Sequence, residues 1–434
     1  MKKHMGLAVA LMMALATMGC NANKDEVLTN DEALSNENNE LKYIDISSGE
    51  RLLVQGNNNF AFNLFRQATL PGDDGKAASV EGSAILSPIS ITYALGMLNN
   101  GAAGETQSQI NQVLGFGLDD NAQGTDAINA FCHKMLTEAP ALDKLTKVMI
   151  ANTIYVNQHY QLMPAFVQAA NDYYNAQPET RNFADGKTMD VINQWASDHT
   201  EKMIERVLDK ESFNPAAVSY LLNAIYFKGA WAEKFSKANT KDEDFTTAQG
   251  TTKVPMMQQE HAFNYGENEL CQALRLPYGN GAYSMTILLP REGKSVDDVL
   301  RTLDAASWQR NYQWLGNAIV NVKLPRFESK TDVSLKEIMS ALGMPDAFDA
   351  SKAEFPGFCN TSTCIDMMKQ VARIKLDEEG TEAAAVTVIG MKVTSVAEPK
   401  EPLRVNFHAT RPFLYVISEQ STGAIFFIGR YEGE

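Results

Sequence analysis

Two kinds of hydrophobic spacing alternate along this chain. Apolar residues recur every three to four positions over 58–69, 88–99, 106–114, 126–138, 164–174 and 189–200, which predicts helices with one face against a core. Short β-branched and aromatic runs over 148–156, 218–227, 269–277, 283–289, 320–324, 370–376, 414–417 and 424–429 predict strands. Helices crowd the first half; strands with Pro- or Gly-marked turns fill the second. That segregation predicts an α+β fold with large antiparallel sheets rather than alternating βαβ units. No internal repeat and no second break in composition occur, so one large domain over 51–434 is the simplest organisation.

Residues 1–20 are a different material. Lys2, Lys3 and His4 precede an apolar run from Met5 to Ala16, followed by small residues and Cys20. A basic start, a short apolar core and small residues at the cut predict a secretory signal, and the run is too brief to span a membrane. Gly19-Cys20 resembles a bacterial lipobox, although Thr17 stands where Leu is usual, and makes Cys20 the candidate for lipidation. The Asn- and acid-rich stretch after it, 21–50, reads as a flexible tether. Lys24-Asp25-Glu26 fits a short surface-export signal of the Bacteroidetes type, but a plain linker suits it better. An exported chain anchored to the outer membrane, on the periplasmic or outer face, is expected.

Composition narrows the chemistry further. The net charge of −15 excludes nucleic acid and heparin-like polyanions as partners. Cys132, Cys271, Cys359 and Cys364 are too few for a disulfide framework; Cys359 and Cys364 are near enough to pair, but isolated thiols are the preferred reading. No CxxC, HExxH or G-x-S-x-G occurs, and the six His residues follow no motif, so neither a metal, a cofactor nor a hydrolytic triad is expected.

One segment disobeys ordinary loop chemistry. Asp377 to Gly390 lies between a strand and a region ending at Pro399 and Pro402, yet it is rich in Ala and β-branched residues. Read at period two, Thr381, Ala383, Ala385, Thr387, Ile389, Met391 and Val393 share an uncharged face, and Glu382 and Lys392 fall on the other. Such a segment suits a strand with one buried face. The pattern alone leaves open whether that strand is permanent or can slide in between others.

Glu378-Glu379-Gly380-Thr381-Glu382-Ala383-Ala384-Ala385 resembles the hinge of inhibitory serpins, and the likeness continues in order along the chain. Ser87-Pro88-Ile89-Ser90-Ile91, Asn223 to Trp231, Leu324-Pro325-Arg326-Phe327, Arg411-Pro412-Phe413 and Phe426 to Arg430 all resemble blocks of that family. The resemblance implies a serpin fold: three β-sheets, eight or nine helices and an exposed reactive-centre loop, here about 378–404. It further implies a suicide substrate that traps a serine protease covalently while the loop enters the central sheet. Glu378 and Arg326 resemble the ion pair where the loop enters, beside Trp231; Ser87, Ser90 and Asn223 resemble the polar cluster where central strands part. Gln370 stands where the family often has His.

Counting forward from Glu378 with the family spacing puts the reactive bond between Thr394 and Ser395; counting back from Pro412 puts it after Glu401, before Pro402, whose tertiary amide suits few serine proteases. The first count is preferred. Val393 and Thr394 suit an elastase-like pocket, and Lys392 offers a trypsin-like bond; a cysteine protease is a further target class the resemblance admits. A monomer is expected, touching membrane only through its lipid. The competing class is a non-inhibitory serpin acting as carrier or chaperone, which would tend to carry bulky, charged or Pro residues on the inward face of the hinge; this hinge has none.

Overall fold

A computed structural model describes residues 39–72, 76–117, 124–313, 315–381 and 402–433, the side chain of Asn223 excepted. The expected signal segment with Cys20, the part of the expected tether up to 38, the expected hinge residues Glu382, Ala383, Ala384 and Ala385, and the reactive-bond candidates Lys392, Val393, Thr394 and Ser395 lie outside the described residues.

Nine α-helices and fifteen strands form among the described residues. The helices are α1 (Ser48–Thr69), α2 (Pro88–Asn99), α3 (Gly104–Val113), α4 (Thr125–Glu138), α5 (Pro164–Tyr174), α6 (Lys187–Asp198), α7 (Val296–Arg301), α8 (Ala305–Tyr312) and α9 (Lys336–Leu342). The strands begin with β1 (Ala84–Leu86), β2 (Thr146–Asn157), β3 (Gln177–Arg181), β4 (Ser219–Ala230), β5 (Lys241–Thr247), β6 (Gly250–Glu267), β7 (Cys271–Tyr278) and β8 (Tyr283–Pro290). They continue with β9 (Gly316–Pro325), β10 (Phe327–Ser334), β11 (Lys369–Leu376), β12 (Gly380–Thr381), β13 (Arg404–His408), β14 (Phe413–Glu419) and β15 (Ile425–Tyr431).

The expected α+β segregation is present, and all six expected helices form. Local chemistry explains their ends. Ser47 and Glu50 close a capping box on α1: each side chain accepts from the other's backbone N–H. Pro88 and Pro164 occupy first-turn positions, where the missing N–H costs nothing. α2 is apolar almost all round because it is a core element, packed against β4 on one side and β15 on the other.

Where three sheets were implied, hydrogen bonding joins the strands into two. The 18-residue β6 is the reason: its first part pairs with β5 and β9, and its last residues pair with β7. A nine-stranded sheet therefore runs β1-β15-β14-β8-β7-β6-β9-β13, with β5 attached to β6. The second sheet has six strands in the order β10-β11-β12-β4-β2-β3. Leu221, Ile225 and Phe227 of β4 face the main core, whereas Tyr220 and Leu222 point the opposite way to a satellite core under α6.

The tether expected over 21–50 ends sooner than the composition suggested. From Asn39 onward the segment is docked on the body. Asn39 Nδ2 donates to Asp143 at 2.8 Å, Ile44 N–H donates to Ser421 Oγ at 2.9 Å, and Ile44 and Ile46 are buried. Two isoleucines in polar surroundings carry too little periodicity to register as an element, yet each fills a core site. Ile44→Ala is expected to cost about 3 kcal/mol, read as a lowered urea midpoint; an unchanged midpoint would return this stretch to the tether.

Candidate functional site

The centre of the six-stranded sheet is unusual. β4 pairs antiparallel with β2 along eleven partners, and β11 pairs antiparallel with β10 along eight. Between β4 and β11 stands only β12, two residues long, with Thr381 opposite Leu376 on one side and Gly229 on the other. β4 and β11 pair with each other nowhere among the described residues. Beyond β12 no strand of the described residues stands between the two, and residues of both line a cavity of about 140 Å³.

A tight reversal delivers β12 to that position. Asp377 N–H donates to Gly380 O at 2.9 Å, Gly380 N–H returns to Asp377 O at 3.3 Å, and Glu379 N–H donates to the Asp377 carboxylate at 2.9 Å. Gly380 is required twice over. Its φ is +151°, and a Cβ there would come within 2.0 Å of the Gly229 carbonyl oxygen.

The turn is clamped from the β4 side. Trp231 N–H donates to Glu379 O at 2.8 Å, and its indole Nε1–H donates to Asp377 O at 3.0 Å. The indole stacks on Tyr278 with centroids 4.5 Å apart. Tyr278 Oη in turn lies 2.7 Å from Thr381 Oγ1, and burial pushes the phenol pKa well up, so it stays a neutral hydrogen-bonding group. Thr381 is 1% exposed.

The structure brings together Glu378, Arg326 and Trp231, but not as a surface pair. Glu378 is 2% exposed; one carboxylate oxygen accepts from Thr240 Oγ1 at 2.6 Å, and the other lies 3.7 Å from Arg326 Nη1, whose side chain is half exposed. Glu379 points outward between Lys234 at 2.9 Å and Lys237 at 3.3 Å, and the hydrogen bond from Lys234 holds its pKa below the ordinary value. Sequence reasoning missed Tyr278, Thr240, Lys234 and Lys237. Tyr278 carried one signal, the Gly279-Asn280-Gly281 turn that follows it, which marks the hairpin placing it under the hinge.

The second cluster lies lower on the sheet. Ser87 is buried at the start of α2; its hydroxyl donates to Phe426 O at 2.8 Å and makes no cap bond to the helix. Gln370 meets the Ser87 backbone in both directions, Ser87 N–H to Oε1 at 3.0 Å and Nε2–H to Ser87 O at 2.9 Å. A carboxamide carries both a donor and an acceptor, so one side chain satisfies both backbone groups. Ser90 is buried and lines the cavity, and the Asn223 backbone sits opposite Asn152 in the β4–β2 ladder. The four described cysteines are free thiols, and Cys359 Sγ reaches Thr361 O at 3.2 Å. Among the described residues, no group of three His, Cys, Asp or Glu side chains could hold a metal ion.

A mixed fold whose central sheet keeps an incomplete strand beside a hinge defines the serpin class. The chain belongs to the serpin family: the family description "Serpin (serine protease inhibitor)" matches residues 55–433. Serpin B13 of Homo sapiens is 30% identical over 392 residues, 85% of this chain and 96% of that protein. The leukocyte elastase inhibitor of Xenopus tropicalis is 31% identical over 383 residues, 86% of this chain and 97% of that one. The thermophilic serpin tengpin, solved in its native state, has a TM-score of 0.77 at 27% identity, covering 91% of this chain and 97% of its own. As a class, serpins are protease inhibitors rather than enzymes.

The hinge geometry has a pH consequence. Glu379 has a lowered folded-state pKa, so its contribution is complete above the ordinary carboxylate value of 4.5 and is lost as pH falls through the folded one. Trp231 emission, which reports the clamped turn, is expected to shift only below about pH 4.5; Lys234→Ala should move the shift upward. An identical titration in both proteins would contradict the clamp.

Proposed function

We propose that this chain is an inhibitory serpin that traps a serine protease covalently, with Thr394–Ser395 as the reactive bond. The single observation that carries the reading is that β4 and β11 do not pair with each other among the described residues, and that Gly380–Thr381 stands between them at one end. In the proposed step the protease serine attacks the Thr394 carbonyl, and the peptide bond to Ser395 breaks. An ester to Thr394 forms, and Ser395 becomes a new amino terminus.

The segment after Thr381 then extends β12. Antiparallel register advances one residue along the loop for each residue back along β4 and β11, so Thr387 would fall opposite both Gln370 and Asn223. The even-spaced, uncharged residues that begin with buried Thr381 would continue on the inward face. About a dozen added residues would gain on the order of 10 kcal/mol, at roughly 1 kcal/mol net per ladder bond. Thr394 and Val393 favour an elastase-like enzyme, in keeping with the name of the Xenopus relative, and Lys392 leaves a trypsin-like bond. The basic-apolar start and Gly19-Cys20 support export and a lipid anchor, which would hold the trap at a membrane through the acidic tether.

Mixing the mature chain with elastase-, trypsin- and subtilisin-type proteases should give, with at least one, a complex that survives boiling in detergent. Only cleaved chain and fully active enzyme across the panel would favour a carrier or chaperone. Thr381→Arg places a charge at a site 1% exposed, where an unpaired ion costs about 3 kcal/mol or more. It should turn inhibitor into substrate, with loop cleavage retained; undiminished complex would show that the hinge need not be buried.

A further inference from the structure

We infer that the docked segment 39–46 presents a face that rests on a lipid bilayer, so that the anchored chain holds the hinge end of its central sheet toward the membrane. The inference rests on reading Cys20 as the lipidated residue. Five large hydrophobic side chains are exposed among the described residues, and three of them fall within 39–52: Leu41 at 43%, Tyr43 at 69% and Leu52 at 56%. Asn39 opens the described body and follows Cys20 by nineteen positions. The apolar patch therefore stands where the body meets the chain leading to the anchor.

These side chains are displayed on a backbone that is firmly held. Lys144 N–H donates to Asn39 Oδ1 at 3.0 Å, Asn280 Nδ2 donates to Glu40 O at 3.1 Å, and Lys42 Nζ donates to Ala141 O at 3.1 Å. Lys134 Nζ reaches Asp45 O and also Glu50 of α1, 3.1 Å away. Ile44 and Ile46 fill core sites, which turns Tyr43 and Asp45 outward. The same contacts place the patch at the hinge end. Asp143, which receives Asn39, also accepts from Thr146 Oγ1, and Thr146 pairs with Gly229, the partner of Thr381. Asn280 lies in the turn that follows Tyr278, the residue that holds Thr381.

The chain length names the occupant. An extended chain spans at most about 3.5 Å per residue, so residues 20–39 keep the body within roughly 65 Å of an anchoring lipid. A contact tethered so closely forms at an effective concentration on the order of millimolar, where a few apolar side chains suffice. Tyr, with an apolar ring and a polar tip, suits the headgroup level. The net charge of −15 repels anionic headgroups, and around the patch Lys42 and Arg51 only offset Glu40 and Asp45. The partner is therefore a bilayer of zwitterionic phospholipid, and an enzyme meets the hinge end from the membrane side.

Two dye positions read this orientation on the acylated full chain bound to zwitterionic vesicles that carry a nitroxide lipid. One dye is attached at Glu40→Cys and the other at Ser362→Cys, before the end of β11 that lies away from the hinge; the chain without an added cysteine, labelled in parallel, subtracts Cys364. The dye at position 40 should be quenched and the dye at 362 spared. Leu41→Asp with Tyr43→Asp should lower the docked-to-free ratio about tenfold or more, because it withdraws apolar area from the bilayer. Leu41→Phe with Tyr43→Phe should preserve the quenching, and anionic lipid should weaken it at low salt. Equal quenching at both positions, or quenching indifferent to the Asp pair, would overturn the inference. Urea midpoints should match the wild type, since both side chains are exposed; a fall shared by the Asp and Phe pairs would assign Leu41 and Tyr43 to folding instead. A dimer by sedimentation that the Asp pair abolishes would give the patch to a second copy of the chain. An acylated chain with equal quenching sinks the orientation and leaves the anchor standing, whereas a chain whose mass shows Cys20 unacylated sinks both. Covalent trapping of a protease reads the inhibitory function apart from either.

Discussion

A β-strand presents backbone donors and acceptors along both edges, and among the described residues β4 and β11 are separated by a strand's place in which only the two residues of β12 stand. The rest of the molecule is arranged around that constraint. β4 is fixed on its other edge by a long ladder to β2, and β11 by a full ladder to β10, so the two halves of the sheet are each complete except where they meet. A sheet left open at its centre lies above its lowest available free energy whenever a suitable strand is tethered nearby. On the proposed reading its persistence is kinetic. On the proposed reading, the residues after Thr381 would continue β12 in the register that its pairing with both neighbours sets.

What holds the opening in this condition is a small set of contacts at its upper end. Gly380 can approach the Gly229 carbonyl because it carries no side chain, and the reversal at Asp377 carries the chain on to buried Glu378. Trp231 grips two carbonyls of the turn, while Tyr278, stacked beneath it, holds Thr381 by its hydroxyl. Lower down, Gln370 ties β11 to the start of α2 through both faces of one amide, and Ser87 ties the same point to β15. A strand added as far as residue 387 would reach the level of Gln370, so the two clusters would mark the first half of the proposed insertion.

Much of this was legible from the sequence, for physical reasons. The helices over 58–69 and 164–174 announce themselves because one face is continuously apolar; of the expected hinge, only Glu378 to Thr381 fall among the described residues. β6 was not legible: more than half of its positions are polar or exposed, since it crosses between two parts of the large sheet and alternates little. β3 and β13 are short edge strands with a single fully buried side chain between them, Phe407, which leaves no period to detect. The burial of Glu378 was hidden for a different reason. An acidic residue in a Glu-rich run reads as surface, and only Thr240 and Arg326, distant in sequence, make its burial tolerable. The docking of 39–46 depends likewise on partners far along the chain, Asp143 and Ser421.

The central claim is that the sheet gains a strand when the loop is cut. Cutting a surface loop ordinarily loosens a protein, because freed ends add entropy to the unfolded chain. Melting curves of the full chain before and after proteolysis confined to residues 390–402 test the opposite expectation. The account predicts that the cleaved form melts about 10 °C or more above the intact one, the shift that on the order of 10 kcal/mol gives in a chain this long. A cleaved form that melts at the same temperature or lower would contradict it.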